Sequence, residues 1–152
     1  MKTLAACIVL MGVSLLASAA DVTPPTPAAA PPAVASPSPS GATVYFIEPA
    51  DGAVVPSTFT VKFGLKGMGV APAGTDVPNT GHHHLLIDQA TLPDMSLPLP
   101  ANEHIVHFGK GQTETEVTLP PGQHTLQLVF ANYLHIPHTP PVVSKRITIT
   151  VK

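Results

Sequence analysis

The chain has 152 residues, a formal net charge of −2, no Trp, two Tyr and five Phe. This charge balance excludes a phosphate-neutralising basic surface, so nucleic acid is not an expected partner. So few aromatic residues also leave little material for stacking bases or sugars.

Residues 1–19 read as a signal peptide. Lys2 supplies a short positive start, Leu4 to Leu16 form an apolar run, and Ala17-Ser18-Ala19 fits the small-x-small cleavage rule. The run is too short to span a bilayer comfortably, so no transmembrane segment is expected in the mature protein. Cleavage there gives a mature start at Ala20, or at Asp21 if the cut falls one residue later. Leu4-Ala5-Ala6-Cys7 matches a lipoprotein box by letters, but the apolar run continues well past it, which argues against lipidation. Cys7 is the single cysteine. Its loss with the signal leaves no disulfide, thiolate ligand or cysteine nucleophile.

Residues 20–41 hold seven prolines among Ala, Ser and Thr. Such a composition cannot bury enough apolar surface to fold and reads as a disordered linker sampling polyproline II. Residues 42–152 read as the folded domain. Its strands are expected at 43–48 (A), 58–65 (B), 82–88 (C), 103–108 (D), 113–119 (E), 123–131 (F) and 142–151 (G). Strand B gives the clearest period-two signal, with Phe59, Val61, Phe63 and Leu65 alternating against polar residues. Glu48-Pro49-Ala50-Asp51-Gly52 and Pro120-Pro121-Gly122 are turn chemistry, and 66–81, 89–101 and 132–141 read as loops. Seven short strands and no amphipathic helix predict an all-β, immunoglobulin-like sandwich.

The domain carries eight histidines. Immunoglobulin-like connectivity sends the B–C, D–E and F–G connections to one end. That end should gather His82, His83 and His84 at the start of strand C, His107 at the end of strand D, and His135 and His138 in the F–G loop. His104 and His124 should lie towards the other end, His124 as a hydrogen-bonded core-edge residue. Side chains alternate along a strand, so His82 and His84 share one face and His83 takes the other. Neutral imidazole is the commonest metal ligand. A nitrogen-rich site, with Met68 as an extra donor and Asp76 as the nearest carboxylate, suits copper or zinc rather than calcium or magnesium. The preferred ligands are His82, His84, His107, His135 and His138, with His83 as substitute.

Other motifs are silent. Phe108-Gly109-Lys110-Gly111-Gln112-Thr113 lies between strands and lacks the strand–loop–helix context of a phosphate loop. No Gly-x-Ser-x-Gly elbow occurs, and no paired carboxylates suggest a glycosidase.

Four stretches in order carry a family resemblance: Gly81-His82-His83-His84-Leu85-Leu86-Ile87-Asp88; His107 to Glu114; Pro121 to Leu128; and His135-Ile136-Pro137-His138. Over about residues 43–152 the chain resembles the DUF4399 family of exported bacterial domains. The resemblance implies a secreted or periplasmic β-domain and leaves activity open. The sequence thus leads to a monomeric, non-enzymatic periplasmic or extracellular binding protein for copper or zinc. A metal-free module that meets another envelope protein is the competing reading, and a copper-dependent redox enzyme a third. The mature N-terminus lacks the histidine of an amino-terminal copper brace.

Overall fold

A computed structural model describes residues 34–152. The expected signal peptide and residues 20–33 of the expected linker lie outside the described residues. Thr58–Lys66 folds as β3, placing Phe59, Val61 and Phe63 in the interior and Thr58 and Thr60 in solvent, as strict alternation requires. It pairs antiparallel with β1 (Thr43–Glu48) on one side and β7 (Glu114–Thr118) on the other.

The second sheet runs from β10 (Ile147–Val151) through β8 (Gly122–Ala131) to β5 (Thr80–Ile87). Short β2 (Val54–Val55) pairs parallel with β10, and short β4 (Gly69–Val70) pairs parallel with β5. Among the described residues there is no helix, and none is long and apolar enough to cross a membrane. In immunoglobulin terms, A, B and E face G, F and C. Between the sheets lie Phe59, Val61, Phe63, Leu85, Ile87, Leu126, Leu128, Phe130, Ile147 and Ile149.

The structure adjusts the expected pattern in three places. Strand D is the short β6 (Ile105–His107), and it pairs with β5 in the second sheet, His84 opposite His107. Most of the expected loop at 132–141 is strand: β9 (Pro137–Val143) runs beside β8, with a register shift between Phe130 and Ala131. Pro137, Pro140 and Pro141 hide it in the sequence, because proline cannot donate to a ladder and is tolerated only at edges and irregularities. Third, the fold begins before residue 42. Thr139 donates its N–H to the Ser36 carbonyl (2.9 Å), and Ser38 donates its N–H to the Thr139 carbonyl (3.0 Å). The last eight residues of the expected linker therefore belong to the described fold at least in part, the edge of β9 supplying hydrogen bonds that composition does not reveal.

β5 is buried on both faces. Its inward residues join the sandwich interior. Its outward residues meet a second apolar cluster of Leu86, Leu99, Ile105, Val129 and Ala131, with Met95 and Val143 packed against it. Leu99 and Met95 come from the Pro-rich connection after β5, which roofs the outer face.

β5 is followed directly by Asp88, a non-glycine residue at φ 54°. Its carboxylate accepts the Thr125 N–H (2.8 Å) and lies 2.7 Å from His124 Nδ1. His124 Nε2 lies 2.9 Å from the Pro120 carbonyl. Both ring nitrogens thus face acceptors. The Asp88 hydrogen bond, against burial and aided by the Pro120 carbonyl, raises the His124 pKa. A raised folded-state pKa stabilises fully below the unfolded value of about 6.5 and fades as pH rises through the folded value. Asp88→Asn should therefore cost about 1–2 kcal/mol near pH 6 and distinctly less near pH 9. Urea unfolding at the two pH values checks this; an equal cost at both would show that the imidazolium pair contributes nothing.

Candidate metal centre

The site follows from the parity of β5. His83, opposite Phe130 in β8, points into the sandwich, with its ring centre 5.1 Å from those of Phe63 and Phe130. His82 and His84 point to the outer face. There β6 brings His107 opposite His84, and the turn before β9 brings His135. The six ring-centre separations among His82, His84, His107 and His135 run from 4.6 to 6.0 Å. Four imidazoles around one ion, with bonds of about 2.0–2.1 Å, would hold their ring centres about 5 Å apart. His82, His107 and His135 meet the stricter condition: each offers a ring nitrogen, and the three nitrogens all lie within 4.8 Å of one another.

Each ring has a local reason for its position. His107 lies over Gly109, where an added Cβ would sit 2.6 Å from His107 Nε2; only glycine leaves the ring that space. His135 stands at φ 67°, a region that non-glycine residues rarely enter and that clusters at functional sites. Asn132 holds it there. The Asn132 carbonyl accepts the His135 N–H (2.9 Å), and Asn132 Oδ1 accepts the N–H groups of Leu134 (2.9 Å) and Ile136 (3.0 Å). The His135 carbonyl accepts the Leu99 N–H (2.9 Å), tying the roof to the cluster. Sequence reasoning named neither Asn132 nor Gly109 as a site residue. The signal for Gly109 was its position two residues after a strand-end histidine. For Asn132 it was a turn-forming residue just after strand F.

His82 and His84 are fully buried, whereas His107 and His135 are partly exposed. Both ring nitrogens of His82, both of His84, and Nε2 of His107 are buried without a hydrogen-bond partner. Burial is the first cause of their lowered basicity. It brings His82 to about 4, with His107 and His135 adding repulsion, and His84 to about 2, with His82, His107 and His135 adding repulsion. His107 is lowered by burial and then by His135. At neutral pH these rings are uncharged and their lone pairs are free to coordinate.

The other candidates part from this group. His83 is enclosed by apolar side chains, and burial brings its pKa to about 4. The Gln112 backbone opposes that shift without reaching hydrogen-bond geometry. His138 stacks on Phe130 with ring centres 5.7 Å apart. Its Nδ1 lies 3.3 Å from the Phe130 carbonyl and its Nε2 3.2 Å from the Thr80 carbonyl; the neutral ring donates its one N–H to one of these carbonyls and does not join the cluster. Met68 packs against the sandwich interior, and Asp76 is exposed. His104 is exposed beside Glu103 at 3.6 Å, and His124 is the satisfied residue of the Asp88 turn.

Comparison with known proteins agrees with the ordered motifs. A family model described as "Domain of unknown function (DUF4399)" matches residues 61–152, more than half of the chain. The chain belongs to the DUF4399 family. No curated protein matches it. A solved structure of the endo-beta-1,4-mannanase from Thermotoga petrophila is similar at 18% identity and a TM-score of 0.44. That match covers 73% of this DUF4399 chain and only 20% of the mannanase chain.

The buried neutral histidines impose a pH dependence on the metal-free protein. Their folded pKa values lie below 6.5, so the unfolded chain takes up protons first as pH falls. The stability these buried histidines contribute should be full above pH 6.5 and decline from there to pH 4, and further for His84. Each tenfold loss of proton affinity on folding corresponds to about 1.4 kcal/mol per histidine. His83→Leu, which replaces two unpartnered buried nitrogens by apolar atoms, should flatten this decline. Urea midpoints of the metal-free protein at pH 7, 5.5 and 4.5 measure it, and a flat profile for the unsubstituted chain would contradict the buried neutral state.

Proposed function

We propose that this DUF4399 protein is an exported, non-enzymatic metal-binding domain that holds copper or zinc at the outer face of its second sheet. His82, His107 and His135 are the ligands, with His84 beneath them. One observation carries this reading: one ring nitrogen each from His82, His107 and His135 lies within 4.8 Å of the other two, in a layer where both nitrogens of His82 and of His84 and Nε2 of His107 are buried with no hydrogen-bond partner. An orphaned buried polar atom costs about 1–3 kcal/mol, and an ion held by one nitrogen of each ring would give a partner to His82 and His107 at once.

The donor chemistry supports copper or zinc. All donors are imidazole nitrogens, which suit these ions, whereas calcium and magnesium take oxygen. Because burial holds His82 neutral well below pH 7 and lowers the basicity of His107, these two donors should release few protons on binding near neutrality. Export rests on the N-terminal apolar run and its cleavage signal, and points to a periplasmic or extracellular location.

The test is calorimetric titration of Cu(II) and Zn(II) into the metal-free protein. His82→Ala, His107→Ala and His135→Ala should each weaken binding by at least about a hundredfold, since each removes one of three or four donors. His104→Ala and His138→Gln should leave it within about threefold, because neither ring reaches the cluster, a difference worth less than about 1 kcal/mol. Binding that is equally weak in the unsubstituted chain and all variants would leave the metal-free envelope module as the reading.

A further inference from the structure

We propose that residues 34–38 are a positioning strap for the metal centre, and that their docking and the occupancy of the site reinforce one another. The inference rests on the metal reading above and concerns what sets its affinity.

Asn132 is the junction. It is 1% exposed, and its side chain is divided between two tasks. Oδ1 accepts the Leu134 and Ile136 N–H groups, which flank His135. Nδ2 donates to the Val34 carbonyl (3.2 Å) and to Ser36 Oγ (3.1 Å). The amide is planar, so fixing Nδ2 fixes the direction of Oδ1. The strap therefore orients the acceptor that shapes the His135 turn. It is itself held on the outer edge of β9. Thr139 and Ser36 share one backbone hydrogen bond, Ser38 and Thr139 another, and Ser38 Oγ donates to the Pro140 carbonyl at 2.7 Å.

The direction of the effect follows from the backbone of His135. Its left-handed φ is unfavourable for a residue with a side chain and persists only while its surroundings over-determine it. Without the strap, Asn132 keeps its backbone bonds but loses both partners of its Nδ2. The turn then samples other conformations, and the His135 nitrogen leaves the site for part of the time. Partners that orient a metal ligand typically control about 10–100-fold in affinity. Coupling of this kind is reciprocal: whatever the strap adds to metal affinity, metal adds to strap docking.

The test uses the intact chain with Ser36→Ala and Ser38→Pro combined. These changes remove the Ser36 Oγ acceptor, the Ser38 N–H donor and the Ser38 Oγ donor, and leave every histidine and Asn132 in place. Two measurements follow. In the metal-free protein, amide exchange at Leu134 and Ile136 should accelerate by about tenfold or more, while the urea midpoint stays close to that of the unsubstituted chain. With Zn(II) or Cu(II), affinity should fall by about tenfold, and metal should slow exchange at the Ser38 and Thr139 amides of the unsubstituted chain. Unchanged exchange at Leu134 and Ile136 would overturn the strap. So would unchanged affinity with unchanged exchange at Ser38 and Thr139. Faster exchange in a protein that binds neither metal would retain the strap's hold on the turn and refute the metal reading instead.

Discussion

The constraint on which the rest of the structure depends is the two-sided burial of β5. A strand between two apolar layers has no solvent face on which to place polar side chains. Yet this one carries three consecutive histidines. Parity divides them: His83 enters the sandwich among Phe63 and Phe130, and His82 and His84 enter the smaller outer layer. An isolated imidazole in either layer is an unpaired polar group, and such groups are costly when buried. The outer layer differs because it collects its histidines. β6 adds His107 in register with His84, and the Asn132 turn adds His135. The same burial that makes each ring costly keeps it neutral and brings it within reach of its neighbours.

The pairing of β6 with β5 is what brings His107 to the histidines of the outer layer. Had β6 joined β7 on the opposite sheet, His107 would stand across the sandwich from His84. Instead the connection after β5 lies back over its own strand and supplies Met95 and Leu99 to the roof. The Leu99 N–H bond to the His135 carbonyl then links the roof to the His135 turn. Gly109 clears the volume in which the His107 ring lies. Each of these contacts is local, and together they close one side of the cluster and leave the His107 and His135 side partly open.

Much of this was legible in the sequence. Alternation located β1, β3 and β8 nearly to the residue, and the parity of His82, His83 and His84 follows from period two alone. Sandwich connectivity brought His82, His84, His107 and His135 to one end. The same connectivity misplaced His138, because prolines at 137, 140 and 141 read as a loop. In β9 that ring instead turns towards the carbonyls of Phe130 and Thr80. His83 was expected as a substitute ligand, although parity already sent it inward. The partner sheet of β6 was not legible, since three residues carry no pattern that distinguishes the two edges. Nor was the docking of residues 34–38. Their composition resembles a linker, and what orders them lies a hundred residues away, in the edge of β9 and the side chain of Asn132.

Charge adds a last condition on the metal reading. The donor set is neutral, and the group among the described residues that could hold an ion contains histidines alone. Nothing in that set cancels the charge of a bound cation, and the transfer cost of an ion into an apolar layer is large. A fully enclosed four-histidine site would therefore oppose a divalent ion even while its nitrogens favoured it. The observed asymmetry relieves this conflict. His82 and His84 are wholly buried and lie on a rigid central strand, whereas His107 and His135 are partly exposed and border solvent. An ion shared by His82, His107 and His135 would sit towards the wet side, where water screens its charge. For such an ion the deep side would fix geometry and the open side would meet the electrostatic demand. On this reading the three nitrogens that lie within 4.8 Å of one another include both partly exposed rings, and His84, the most deeply lowered in basicity, is left to the buried side.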